Sequence, residues 1–129
     1  MANEIRLVTK MNLAQGNFTY VWNPGLYLPN DELFYNLTGS PNSDSGLQTC
    51  TTSGTNFTLT NVTTAGYVGL RNTDSTNYID IGYDDSGTLR DLIRLKAGEV
   101  CMFRLQPART IRGKANTASV IVEYMIFQD

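Results

Sequence analysis

Six short runs rich in apolar residues fill the second half of the chain: GYVGLRN (66–72), TNYIDIGY (76–83), TLRDLIRL (88–95), EVCMFRL (99–105), TIRGKA (110–115) and ASVIVEYMIF (118–127). The segments between these runs, such as DDSG (84–87) and KAGE (96–99), supply the Asp, Ser and Gly residues that favour turns. Short apolar runs that alternate with turn residues are typical of strands in a sandwich or barrel. The pattern therefore predicts an all-β chain.

The first half carries fewer strand signals. EIRLVTKM (4–11), NFTYVW (17–22) and FTLTNV (57–62) each predict a strand. Residues 24–37 are predicted to be an irregular segment rich in apolar and aromatic side chains. Residues 38–54, which are rich in Gly, Ser, Thr and Asn, are predicted to be a flexible loop.

Length and composition favour one domain. A chain of 129 residues buries roughly two-thirds of its unfolded surface when it folds. We therefore predict a single domain over residues 1–129, a jelly-roll-like β-sandwich of about eight to nine short antiparallel strands. The net charge of −2 gives no general attraction to nucleic acid or acidic lipid, and no stretch approaches the roughly 20 apolar residues of a membrane span.

The last run, ASVIVEYMIF, is almost continuously apolar. Such a run predicts a central strand that is covered on both faces, or a strand whose outer face meets another subunit. The residues alone leave both alternatives open.

The residue types exclude several kinds of catalytic site. The sequence contains no histidine, which excludes Ser-His-Asp and Cys-His nucleophile systems and metal sites built on histidine. Phosphate-binding glycine loops are also missing from the sequence. Cys50 and Cys101 lie 51 positions apart and are predicted to be free thiols. We expect no catalytic residues and no cofactor.

Four aspartates lie close together in the sequence and are candidate calcium ligands: Asp74, Asp80, Asp84 and Asp85. The interpretation that we favour places Asp80 on a solvent-facing strand and the other three in turns. We therefore expect no metal site.

The stretch 88–114 is basic, with seven Lys or Arg residues and two acidic residues. It is either a surface for an acidic partner or nucleic acid, or a sheet face whose charges pair with acids on other strands. We favour the second interpretation and expect no nucleic-acid binding, because Phe103 is the one aromatic residue within the stretch.

The segment 24–37 holds more apolar groups than an idle loop needs: Leu26, Tyr27, Leu28, Leu33, Phe34 and Tyr35. These side chains either plug one end of the sandwich or form an exposed anchor for a partner, because aromatic groups dominate interface energies. They are the candidate assembly contacts.

The second half contains a hairpin of the form GY-x-x-x-RN-x-D-x-x-N-Y-I/V-x-x-G, followed by an L-x-x-GE turn and an I-x-x-KANTA segment. The residues of these motifs are Gly66, Tyr67, Arg71, Asn72, Asp74, Asn77, Tyr78, Ile79, Gly82, Leu95, Gly98, Glu99, Ile111, Lys114, Ala115, Asn116, Thr117 and Ala118. In these motifs the second half resembles a family of small structural proteins from tailed bacteriophages. Asn72, Asp74 and Asn77 are turn formers whose side chains can bond their own backbone.

The resemblance implies a virion structural protein. The leading expectation is a capsid decoration (cement) protein that binds the assembled major capsid protein and itself, with a trimer at three-fold positions as one arrangement. It would lie on the capsid surface after synthesis in the host cytoplasm without a signal peptide. The alternatives are a tail adaptor or tail-tip component, and a carbohydrate-binding module for host attachment that uses Trp22, Tyr27 or Tyr83.

Overall fold

A computed structural model describes four short strands near the start of the chain and the continuous stretch 42–129. The chain divides into two compact units, Met1–Ser40 and Pro41–Asp129. In the first unit, β1 (Glu4–Leu7) pairs antiparallel with β4 (Leu33–Asn36), and β2 (Met11–Gln15) pairs antiparallel with β3 (Phe18–Trp22).

The second unit contains two antiparallel sheets of four strands each. The first sheet has the order β10 (Val100–Arg104), β7 (Ala65–Asn72), β12 (Val120–Gln128) and β5 (Ser43–Cys50). The second sheet has the order β6 (Thr55–Asn56), β11 (Ile111–Ala115), β8 (Ile79–Asp85) and β9 (Thr88–Leu95).

Alternate side chains of both sheets meet in one apolar core. Its fully buried members include Val68, Val120, Val122 and Ile126 from the first sheet and Ile79, Ile81 and Ile111 from the second. Gly113 of β11 lies where the sheets approach closely, because a Cβ there would be 2.9 Å from the Cys50 sulfur of β5. The prediction of an all-β fold with antiparallel strands in a sandwich is confirmed. The prediction of one domain over residues 1–129 stays a prediction.

Two nearby segments differ from the prediction in opposite ways: a predicted loop is a strand, and a predicted strand is a loop. Residues 43–50 of the predicted loop 38–54 form β5, which pairs with β12 along its whole length. Residues 57–62, predicted to be a strand, instead form a loop. The Asp44 carboxylate accepts hydrogen bonds from the backbone N–H groups of Thr60, Asn61 and Val62, at 2.8 to 2.9 Å. Burial raises the pKa of Asp44, but these donors outweigh burial and the pKa lies below its usual value.

The segment 24–37 is also partly regular. Leu33–Asn36 is the strand β4, so the prediction of an irregular segment is wrong for these four residues. The neighbouring strand β1 supplies the hydrogen-bonding partners, and local sequence does not reveal such a distant partner. Residues 24–32 and residue 37 lie outside the described residues.

Both cysteines are free thiols, as predicted. Burial raises the pKa of Cys50 to about 12 and that of Cys101 to about 11. At pH 8 such thiols are ionised to roughly one part in a thousand or less, and the thiolate is the reactive form. We therefore expect both to react with a disulfide reagent at least about 100-fold more slowly in the native chain than in guanidinium chloride. A native thiol that reacts as fast as in denaturant would contradict this placement.

Candidate functional site

The outward face of the first sheet is apolar although it faces solvent. Five large side chains are between 44% and 69% exposed there: Leu47, Val100, Met102, Ile121 and Met125. On β10 and β12 they alternate with buried or half-buried residues that face the core, because successive side chains of a strand point to opposite faces. We call these five residues, together with Gly69, Arg71 and Glu123, the apolar face.

Strand register arranges the apolar face, apart from Ile121, in two rows across the sheet. In the first row the order is Val100, Arg71, Glu123 and Leu47. In the second row the order is Met102, Gly69, Met125 and Ser45. Each row thus begins with an apolar residue of β10 and ends on β5.

Gly69 leaves a groove in the middle of the second row. A Cβ at this position would have the Met125 carbonyl oxygen at 3.7 Å and the Met102 Cγ at 3.8 Å, so a small side chain would fit. The groove is therefore a gap between two methionine side chains, with backbone at its floor. Methionine is flexible and polarisable, which suits it to irregular contacts with another protein.

One ion pair lies at the centre of the first row. The Arg71 guanidinium and the Glu123 carboxylate are 3.6 Å apart, and both side chains are more than half exposed. An exposed pair of this kind contributes little to the stability of the fold. Because of this ion pair, the centre of the apolar face carries one positive and one negative charge and no net charge.

Four of the five arginines in the basic stretch pair with aspartates, as we predicted. Arg94 binds Asp80 through two hydrogen bonds of 2.7 and 3.0 Å and lies 4.0 Å from the centre of the Tyr78 ring. The other ion pairs are Arg90 with Asp85, Arg104 with Asp129 and Arg112 with Asp84. Arg109 instead lies over the Tyr83 ring, 4.6 Å from its centre.

The four candidate calcium ligands are engaged by partners within the chain. Asp74 accepts hydrogen bonds from the N–H groups of Asn77 and Thr76, which lower its pKa to about 2, and the other three aspartates pair with arginines. Over the described residues, no group of three or more Cys, Asp or Glu side chains could hold a metal ion.

Asn72, one of the motif residues, lies at the junction of β7, β8 and β9. Asn72 is fully buried, and its amide nitrogen donates to the carbonyl oxygens of Asn77, Leu95 and Lys96 at 2.9 to 3.1 Å. Its amide oxygen accepts a hydrogen bond from the N–H of Asp74. Sequence reasoning predicted the local bond, but not the bonds to the end of β9. The motif thus specifies architecture.

The candidate assembly contacts cannot be placed as a group. Leu26, Tyr27 and Leu28 lie outside the described residues, as do the side chains of Leu33, Phe34 and Tyr35 on β4. Of the proposed sugar-stacking aromatics, Tyr83 has a ring that Arg109 already covers. Sequence reasoning missed the apolar face, although its signal was present as a second set of apolar residues alternating with the core set on β10 and β12.

Comparisons with protein-family models, with curated proteins and with solved structures found no match. Within the part of the chain that the structure describes, no helix is long and apolar enough to span a membrane.

Proposed function

We propose that this chain is a non-enzymatic structural protein of a bacteriophage particle, a capsid decoration protein that binds the assembled lattice of the major capsid protein. The observation that carries the proposal is the apolar face, because an exposed apolar surface of this kind marks a site of protein–protein contact and so indicates that the chain works as part of an assembly. The resemblance of residues 66–118 to phage structural proteins supports the choice of a virion as the assembly.

The mechanism is stabilisation by binding. A protein that binds the assembled lattice, and not the free capsid protein, adds its binding free energy to the lattice. At a concentration one hundred times its dissociation constant, each bound copy would contribute about 2.7 kcal/mol. Many copies would together resist the pressure of packaged DNA. A β-sandwich with a closely packed core suits this purpose because it stays rigid under load.

The lattice contact is proposed to lie in the first unit. Residues 24–37, which include the six candidate assembly contacts, and residues 1–11 are the segments that we favour. A tail adaptor would act by the same kind of contact, so the proposal requires a test that uses capsid shells directly.

Co-sedimentation with purified shells tests the proposed function. We expect the full chain to pellet with assembled empty capsids and to remain in solution with unassembled capsid protein. Replacing Tyr27 and Leu28 together with serine should lower the bound fraction at least about tenfold, because apolar and aromatic anchors dominate interface energies. Leu92→Ser is the matched control, since Leu92 is 71% exposed on the second sheet. Failure of the unmodified chain to bind shells would contradict the proposal.

A further inference from the structure

We infer that the apolar face is the contact between two copies of this chain, which pair face to face through it. The inference rests on the proposed function, because it names a second copy of the chain as one partner of a virion protein. It also selects between the alternatives that the sequence left for β12. The inner face of β12 is buried, whereas Ile121, Glu123 and Met125 on its outer face are exposed.

The two rows are complementary to themselves under a twofold rotation. Consider a twofold axis between the first sheet of one copy and the first sheet of the other. The axis runs parallel to the strands and passes between β7 and β12. Rotation about this axis reverses the order of the strands and leaves the position of each row along the strand direction unchanged. Two sheets then pack with their strands nearly aligned, which is a common arrangement about 10 Å apart. A twofold contact uses the same patch on both copies.

This rotation brings most of the apolar groups of the two copies together, and in the two rows Met102 alone comes opposite a polar residue, Ser45. In the first row, Leu47 of one copy comes opposite Val100 of the other, and the same contact occurs twice by symmetry. In the second row, Met125 comes opposite the groove above Gly69. Each copy therefore offers one methionine side chain and one groove that can receive it.

The charges match as well. The rotation places Glu123 of one copy opposite Arg71 of the other, and within each copy these two groups already lie 3.6 Å apart. Four charges then alternate in sign at the centre of the contact. A patch of one sign would repel its own copy under a twofold axis, whereas this balanced centre fixes the register of the pair.

The size of the face predicts a weak pair. Four strands about 4.8 Å apart and at most nine residues long present a footprint of roughly 500 Å² per copy. This is below the roughly 800 Å² per partner of a standard interface. Interfaces of this small size are typical of weak and transient contacts, and we expect a dissociation constant on the order of 10 μM. A twofold contact closes with two copies, so the pair takes the place of the trimer as the expected form of the free protein.

Sedimentation velocity of the full chain tests the pairing. We expect a shift from monomer to dimer between roughly 1 and 300 μM. Glu123→Arg should weaken dimerisation at least about tenfold, because it places like charges opposite each other. The double variant Arg71→Glu with Glu123→Arg should restore dimerisation, since it exchanges the two signs and keeps both the internal pair and the pair between copies.

A further variant, Gly69→Val, tests the same contact without changing any charge, in case the charge variants misfold. Gly69→Val fills the groove that would receive Met125, and it adds a residue that favours strands where a Cβ has room. It should also weaken dimerisation about tenfold while far-ultraviolet circular dichroism stays unchanged. A chain that remains monomeric at 300 μM, or Glu123→Arg and Gly69→Val variants that dimerise like the unmodified chain, would overturn the inference. So would a monomeric chain that loses shell binding on Glu123→Arg, because the face would then belong to the capsid contact. Shell binding by a monomeric chain would leave the proposed function intact.

Discussion

Replacing Asn72 with alanine is expected to lower the free energy of unfolding of the second unit by about 4 kcal/mol. Asn72 is fully buried, and its amide donates to three backbone carbonyl oxygens at the junction of β7 and β9. The alanine variant removes this donor from the Asn77 and Leu95 carbonyl oxygens and removes the acceptor of the Asp74 N–H. The Lys96 carbonyl keeps the N–H of Glu99 as a donor. Each buried polar group left unsatisfied costs about 1 to 3 kcal/mol. Urea unfolding followed by far-ultraviolet circular dichroism measures the change.

Two further variants separate the hydrogen bonds from the loss of volume. Asn116→Ala is the matched control, because Asn116 is exposed, and it should change the free energy of unfolding by at most about 0.5 kcal/mol. Asn72→Asp keeps the shape of the side chain but replaces the donor with an acceptor that faces three carbonyl oxygens. It should be at least as destabilising as Asn72→Ala. A stable Asn72→Asp variant would contradict the role assigned to the amide.

Replacing Gly82 with alanine is expected to destabilise the second sheet by about 3 kcal/mol or more. The pairing of β8 with β9 shifts register between Ile81 and Gly82, which brings the backbone of β9 unusually close. A Cβ at position 82 would overlap the carbonyl oxygen of Arg90 and come within 2.6 Å of its carbonyl carbon. Neither atom can move away without disturbing the strand, because both belong to the backbone.

Gly69→Ala is the control for this prediction. Both glycines lie within strands, but a Cβ at position 69 has its nearest neighbour at 3.7 Å. We expect Gly69→Ala to unfold at the same urea concentration as the unmodified chain or slightly higher, because alanine loses less backbone entropy than glycine on folding. Equal midpoints for Gly82→Ala and Gly69→Ala would show that the register shift does not require glycine.

The second half of the fold was largely predictable from sequence, because its strands carry apolar residues and its turns carry Asp, Ser and Gly. The first sheet was harder to predict at its edge. β5 reads SDSGLQTC, a run of turn formers, and it is a strand because the long neighbour β12 pairs with it. Conversely, FTLTNV has the composition of a strand, but it forms a loop in which three backbone N–H groups donate hydrogen bonds to the Asp44 carboxylate. Both errors arise where a distant partner outweighs local preference.

The apolar face was less predictable than the fold. Alternation along a strand shows that its two faces differ, but it does not show which strands become neighbours. Val100, Arg71, Glu123 and Leu47 come from four segments, and only the order of the sheet brings them into one row. The sequence did contain one relevant signal, the nearly continuous apolar character of β12, which predicted contact on both of its faces.

Immunogold labelling of intact virions with an antibody against the chain shows whether the chain is part of a phage particle and where it lies. We expect dense and regular label over the heads, together with peptides of this chain in the mass spectrum of purified virions. Label confined to tails would contradict the decoration role and favour the adaptor alternative. Absence of both label and peptides from the particles would contradict the virion assignment itself.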